Sequence, residues 1–231
     1  MASTIKICGL STAETLEAAL DAGADMVGFV FFEKSPRFIG LDAARALADR
    51  ARGEAKIVAL SVDPSDRMLA AIVPVLEPDF LQLHGSETPE RVAEIRRLFG
   101  VPTIKAIGVA QHADLTHAAA YEPAADWLLI DAKPPKGAAL PGGNGLPFDW
   151  SLASGFAPAR PWLLSGGLDA GNVAAAIALS GARGVDVSSG VETAPGVKDP
   201  GKIIAFIERA RHGFARTASR DREAAGQSSQ G

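Results

Sequence analysis

Residues 5–32 read Ile5-Lys6-Ile7-Cys8-Gly9-Leu10-Ser11-Thr12-Ala13-Glu14-Thr15-Leu16-Glu17-Ala18-Ala19-Leu20-Asp21-Ala22-Gly23-Ala24-Asp25-Met26-Val27-Gly28-Phe29-Val30-Phe31-Phe32. Two apolar runs of strand length, Ile5–Leu10 and Met26–Phe32, flank a segment with a different period. There Leu16, Ala19, Leu20 and Gly23 fall at i, i+3, i+4 and i+7, one face of a helix. Ser11-Thr12-Ala13-Glu14 ahead of them reads as a capping box, in which a hydroxyl and a carboxylate satisfy exposed helical N–H groups. Strand, helix and strand joined this closely form one unit of a parallel sheet, because the helix returns the chain to the edge it left.

The unit recurs along the chain. Further apolar runs are Lys56–Val62, Phe80–His84, Thr103–Val109, Trp127–Asp131, Trp162–Ser165 and Gly184–Ser188, which makes eight. Their starts lie 21, 30, 24, 23, 24, 35 and 22 residues apart, each gap long enough for a strand, a helix and two turns. Thr88-Pro89 sets a cap residue before a proline at the first helical position, ahead of Val92, Ile95 and Phe99. Val173 with Ile177, and Ile203 with Ile207, repeat the i, i+4 stripe. Eight units in about 210 residues predict a single-domain (β/α)8 TIM barrel, near the lower end of its size range. An open doubly wound sheet is the competing architecture, but neither its G-x-G-x-x-G turn nor a Walker A sequence occurs. The expected boundaries are a catalytic barrel over 1–211 and a disordered, polar tail over 212–231, where Phe214 is the one large apolar residue.

Composition narrows the function. With 23 basic and 27 acidic side chains the net charge is −4, and residues before Arg211 carry −6, which argues against nucleic acid as a partner. The longest apolar run, Met26–Phe32, is far short of a membrane span, and the N-terminus lacks the pattern of a secretory signal. A single cysteine, Cys8, precludes an intramolecular disulfide and points to the cytoplasm.

In such a barrel the chemistry sits where strands end, on side chains that face inward. Alternation places Lys6 and Cys8, Gln82 and His84, Asp131, and Asp186 and Ser188 on that inner face. Cys8 ends its strand as a candidate base; the Lys6 ammonium two residues below would favour its thiolate, with Asp186 as the partner of Lys6. Asp131, ending an apolar strand, is a candidate proton donor whose pKa desolvation would raise. A lone Cys is more often a small packed hydrophobe, and an Asp before a turn more often a cap; their shared place at strand ends favours chemistry. The turns Ser165-Gly166-Gly167 and Ser188-Ser189-Gly190 follow the last two strands, where barrels hold phosphate on backbone N–H groups. Arg37, after the second strand, could fork onto a second anion, a carboxylate. His84 has no second His or Cys at ligand spacing, so no metal is expected there; it stands as a candidate substrate-binding residue. His112, His117 and His212 read as surface. Ala132–Pro147, crowded with proline and glycine, reads as a lid over the rim.

Two other classes compete. An aldolase on the same barrel would want an inward lysine as Schiff-base former, for which Lys105 is the nearest candidate. A phosphometabolite binder or thiol sensor would use Cys8 without catalysis, although no resolving cysteine exists.

Several motifs together resemble one family. They are Lys6-Ile7-Cys8-Gly9, Gly28-Phe29-Val30-Phe31 leading to Ser35-Pro36-Arg37, Leu81-Gln82-Leu83-His84-Gly85, and Asp131. Gly142-Gly143-Asn144-Gly145, Phe148-Asp149-Trp150, Leu164-Ser165-Gly166-Gly167-Leu168 and Val185-Asp186-Val187-Ser188-Ser189-Gly190-Val191-Glu192 follow in order. From Ile5 to about Ile207 the chain is similar to the phosphoribosylanthranilate isomerases of tryptophan biosynthesis. The resemblance implies an Amadori rearrangement of an aminoaldose to an aminoketose, with no metal or organic cofactor. The expected partner is the small-molecule phosphoribosyl anthranilate substrate alone, for a monomer or homodimer. It implies Cys8 as general base, Asp131 as general acid and Arg37 on the anthranilate carboxylate. Asn144 departs from the Ser or Thr frequent at its position, and the insertion before it is long.

Overall fold

The computed structural model describes residues 3–133 and 149–228. Strands β1 (Thr4–Cys8), β2 (Met26–Val30), β3 (Lys56–Ser61) and β4 (Phe80–Leu83) come first in the sheet. They are followed by β5 (Thr103–Val109), β6 (Trp127–Ala132), β7 (Trp162–Leu164) and β8 (Gly184–Val187). All pair in parallel, in sequence order, and β8 returns to β1 through Thr4↔Gly184 and Ile7↔Val187, closing the barrel. Helices α1 (Ala13–Asp21), α2 (Leu41–Ala51), α3 (Asp66–Leu76) and α4 (Pro89–Phe99) lie between the first strands. α5 (His112–Ala118), α6 (Val173–Ser180) and α7 (Pro200–Ser228) continue the outer ring. A short hairpin, β9 (Glu192–Ala194) with β10 (Val197–Lys198), precedes α7.

Period-2 alternation sorts the strand residues into two cores. Ile5, Ile7, Val27, Phe29, Leu128, Ile130, Val185 and Val187 face the helices in the large outer core. Met26, Val58, Ile104, Ala106, Leu129 and Leu163 fill the barrel, with Cys8, Val30 and Leu60 above them. At the bottom, Asp25, Asp79 and Asp126 accept hydrogen bonds from the N–H groups of Ile5, Ile57 and Thr103, tying even strands to odd ones.

Two local expectations are corrected. The first cap is Thr12, whose Oγ1 accepts from Thr15 N–H, so Ser11 lies one residue outside the helix. More substantially, residues from 212 onward do not begin a structureless tail: α7 runs unbroken to Ser228. Ile203, Phe206, Ile207 and Ala210 bury one face, and Phe214 extends that stripe against the core. Gly213 is buried beside Ala174, where an added Cβ would approach the helix backbone to 3.0 Å. A helical stripe of period 3.6 outweighs polar composition here. Most of Ala132–Pro147, including Asn144, lies outside the described residues.

Candidate active site

The inward side chains of β1 and β8 meet across their shared ladder. Lys6 Nζ donates to Asp186 Oδ1 at 2.7 Å, and Ser165 Oγ donates to Asp186 Oδ2 at 3.2 Å. Lys6 is fully buried; burial opposes its charge, but Asp186 and then Cys8 outweigh that and hold its pKa above the ordinary value. Cys8 sits one step higher on the same face. Gly28 on β2 leaves the room for this, since a Cβ there would come within 3.1 Å of Cys8 Sγ and 3.2 Å of Lys6 Nζ. Burial pushes the Cys8 thiol up, and Asp186 adds to it; Lys6 and Lys198 pull the other way without winning. Lys6 does favour the thiolate, as its place two residues below Cys8 suggests, but burial is the larger effect and leaves the thiol pKa above its ordinary value.

Asp131 closes β6 on the inner face, buried, three strands from Cys8 around the barrel through β7 and β8. Its Oδ1 accepts from the Ala132 N–H at 2.8 Å, and its Oδ2 lies 3.2 Å from His84 Nε2. His84 Nδ1 is in turn 3.0 Å from Gln82 Nε2, so the ring stands between an amide and the carboxylate. Neutral imidazole has one donor and one acceptor nitrogen; with the Gln82 amide donating to Nδ1, Nε2–H points at Asp131. His84 thus touches the candidate acid itself.

Arg37 is not a solvated loop residue; it is 6% exposed. Its aliphatic stem lies over Gly9, where φ is +80° and a Cβ would meet Arg37 Cδ at 2.9 Å, so only glycine fits after Cys8. Its Nε and Nη2 donate to Glu192 Oε1 and Oε2 at 2.7 and 2.9 Å. Lys198 Nζ donates to the same carboxylate at 2.7 Å and to the Ser188 carbonyl at 2.8 Å. Burial works against the charges of both partners. It lowers the Lys198 pKa, whereas at Glu192 the bonds to Arg37 and Lys198 outweigh it and hold the carboxyl below its usual range.

The turns after β7 and β8 are built backbone against backbone. Gly166 and Gly167 both have positive φ, and their carbonyls accept from Trp150 Nε1 at 3.2 Å and Asn172 Nδ2 at 2.9 Å, which fixes both peptide planes. Gly190 lies directly on the Leu168 carbonyl, with no space for a side chain. Ser189–Val191 then forms a single 3-10 turn.

Lys105 points the other way. Its neighbours Ile104 and Ala106 fill the barrel, so alternation sends Lys105 outward, where Nζ donates to Glu87 Oε2 at 2.7 Å and to the Gly85 carbonyl at 2.7 Å. The lysine an aldolase would need is thus tied down on the helix side of the sheet. No group of three or more His, Cys, Asp or Glu suited to a metal occurs among the described residues.

A family model for N-(5'phosphoribosyl)anthranilate (PRA) isomerase matches residues 5–209. The chain belongs to this family. The N-(5'-phosphoribosyl)anthranilate isomerase of Rhodopseudomonas palustris (strain BisB5) is 57% identical over 211 residues, covering 91% of this chain and 97% of the relative. That of Azorhizobium caulinodans is 58% identical over 220 residues, covering 95% and 96%. The crystal structure of phosphoribosyl anthranilate isomerase from Thermotoga maritima aligns with a TM-score of 0.82 at 34% identity, over 92% of this chain and all (100%) of that one. A second phosphoribosyl anthranilate isomerase structure, in complex with reduced 1-(o-carboxyphenylamino)-1-deoxyribulose 5-phosphate, aligns at 0.78 with 32% identity, over 92% and 100%.

In this isomerase, Cys8, Arg37, His84, Asp131, Gly166, Gly167, Ser189 and Gly190 all lie on the face of the barrel where the strands end. Reading by residue missed the pair that holds Arg37. Glu192 stood in a recognised motif without a role, and Lys198 lies in a two-residue strand too short to carry a periodic signal.

Proposed function

We propose that Cys8 and Asp131 carry out the isomerisation of N-(5'-phosphoribosyl)anthranilate as base and acid. The observation that carries this reading is a placement: a buried thiol and a buried carboxyl on the inner face of one rim that also carries the Arg37 guanidinium and the glycine turns after β7 and β8. The glycine turns after β7 and β8 take the phosphate on backbone N–H groups, and Arg37 takes the ring carboxylate. A relative's complex with a reduced carboxyphenylamino-deoxyribulose phosphate supports a ligand carrying both anions.

Asp131 gives its proton to the ribose ring oxygen as the C1′–O bond breaks, leaving a C1′=N iminium. Cys8 enters the next step as the thiolate, its own proton having passed to solvent. The proton at C2′ then goes to the Cys8 sulfur, and the C2′–H electron pair forms the C1′=C2′ bond of an enolamine as the iminium π pair returns to nitrogen. Loss of the enol O–H proton and return of a proton to C1′ complete the ketose, so no atom is oxidised by an outside agent. The iminium is its own electron sink, which is why metal or organic cofactor chemistry is not required. Its positive charge also joins Lys6 in favouring the Cys8 thiolate at the moment a base is needed. His84 holds the Asp131 carboxyl in line with the ring oxygen. We assign this activity to the cytoplasm, where the single cysteine stays reduced.

Anthranilate fluorescence followed during turnover tests the assignment. Cys8→Ser and Asp131→Asn should each cut kcat by at least ~10² with little change in affinity for a reduced product analogue. Near wild-type turnover in either variant would remove that residue from its role.

A further inference from the structure

Three buried charges stand in a row beside the active site: Arg37, Glu192 and Lys198, with side chains 6%, 5% and 1% exposed. Glu192 engages the guanidinium side-on, one carboxylate oxygen on Nε and the other on Nη2. Two bonds of this kind fix the orientation of a flexible side chain, which a single bond would not. An Arg–Glu pair alone, however, sums to zero. A substrate carboxylate brought beside it would meet the Glu192 carboxylate in a setting with little water to screen the repulsion. Lys198 reverses that balance, since its ammonium shares Glu192 Oε1 and leaves the row with one net positive charge.

Lys198 is also placed to hold the row in register with the reacting centre. Its Nζ donates to the Ser188 Oγ at 3.1 Å, and that hydroxyl donates to the carbonyl of Cys8 at 3.2 Å. The hairpin that supplies both Glu192 and Lys198 packs its turn directly on loop two. Gly196, with φ +82°, sits against the Pro36 carbonyl so closely that a Cβ would collide with it. One small element thereby sets the position of Arg37 and the charge balance around it.

We propose that Glu192 and Lys198 are positioning residues for the carboxylate subsite, Glu192 by setting the plane of Arg37 and Lys198 by restoring the positive charge that Glu192 cancels. This rests on the assignment of Arg37 to the ring carboxylate. It differs from a purely structural salt bridge in one respect: the effect of removing Lys198 depends on whether the ligand carries a carboxylate.

Two stable probes separate these cases: reduced 1-(o-carboxyphenylamino)-1-deoxyribulose 5-phosphate and its phenylamino counterpart lacking the carboxylate. Dissociation constants are measured for wild type, Arg37→Ala, Lys198→Met, Lys198→Arg and the double variant Glu192→Gln/Lys198→Met. Lys198→Met should weaken the carboxylated probe about tenfold or more, and the other by no more than about threefold. Lys198→Arg should stay near wild type. The double variant should regain much of the lost affinity, because the negative charge left uncompensated is gone. Binding of the carboxylate-free probe reports folding in the same samples, and Lys198→Gln, which can still donate to Glu192, replaces the methionine variant should that one fail to fold. If Arg37→Ala loses selectively on the carboxylated probe while Lys198 variants lose equally on both, Arg37 keeps its role and the proposal is overturned. If Arg37→Ala itself loses equally on both, the carboxylate lies elsewhere and both statements fall.

Discussion

His84 Nε2 lies 3.2 Å from Asp131 Oδ2, and the histidine is held from behind by Gln82 at 3.0 Å. A side chain fixed on both ring nitrogens orients its neighbour more strictly than one free to rotate. Gln82 is fully buried, and its Oε1 has no hydrogen-bond partner among the described residues, so the amide holds a reserve acceptor beside the ring. Such an acceptor suits the opposite tautomer, with Nδ1–H on Oε1 and Nε2 accepting from a protonated Asp131. His84→Ala should therefore lower kcat by about tenfold while KM changes little, as expected for a group orienting the acid. Gln82→Leu should act in the same direction. Steady-state fluorescence kinetics check both, and a change confined to KM would place His84 on the substrate's periphery instead.

The Cys8 thiol should titrate above a free cysteine. Burial and Asp186 raise its pKa against the opposing Lys6 and Lys198, and only the thiolate reacts with iodoacetamide. Carbamidomethylation of the free protein should be slow at neutral pH and climb through an alkaline midpoint higher than that of a cysteine peptide. Lys6→Met should move the midpoint further upward, since it removes the main charge favouring the thiolate. A midpoint below that of the peptide would mean the ammonium prevails over burial.

Replacing Gly167 tests the phosphate turn. Valine is poorly compatible with its φ of +67°, and a branched side chain would displace backbone from a bound phosphate. Gly167→Val should raise KM for the phosphorylated substrate by about tenfold or more, with a smaller effect on kcat. A dephosphorylated analogue should bind wild type and variant equally well. Unchanged KM would locate the phosphate away from this turn.

The Lys105–Glu87 pair should matter to stability and not to turnover. Both side chains are almost fully buried, at 3% and 2% exposure, on the outer side of β5. Glu87→Ala leaves an ammonium without its carboxylate partner and also removes the acceptor of the Asp63 and Gly85 N–H groups, so a loss of about 3–5 kcal/mol is expected. Urea unfolding measures it, and kcat of the folded fraction should stay within about twofold of wild type. A strong fall in kcat at unchanged stability would connect this cluster to the chemistry.

How far each feature was legible follows from the range of the interaction behind it. Strand starts were readable because alternation and apolar runs are local: seven of the eight, from Met26 to Gly184, coincide with those read from the sequence. The inward facing of Lys6, Cys8, Gln82, Asp131 and Asp186 follows from the same period of two, once barrel closure is assumed. The partner of Lys6 was also within reach, because closure makes β8 the neighbour of β1. The course of α7 beyond Arg211 follows the period and not the polar composition, since Phe214 continues the stripe of Ile203 and Ile207.

What the sequence by itself determined is thus the repeated strand–helix unit, the closed parallel sheet it builds, and which strand-end side chains face its centre. These depend on backbone geometry repeated every two or every 3.6 residues, which needs no knowledge of distant contacts. Only the tertiary structure decided how those side chains are charged and held. Arg37 is joined to a carboxylate 155 residues away, His84 to one 47 residues away, and burial pushes the Cys8 thiol pKa up against the pull of Lys6. Hydrogen-bond partners and desolvation are set by which segments meet in space, and no local period records that.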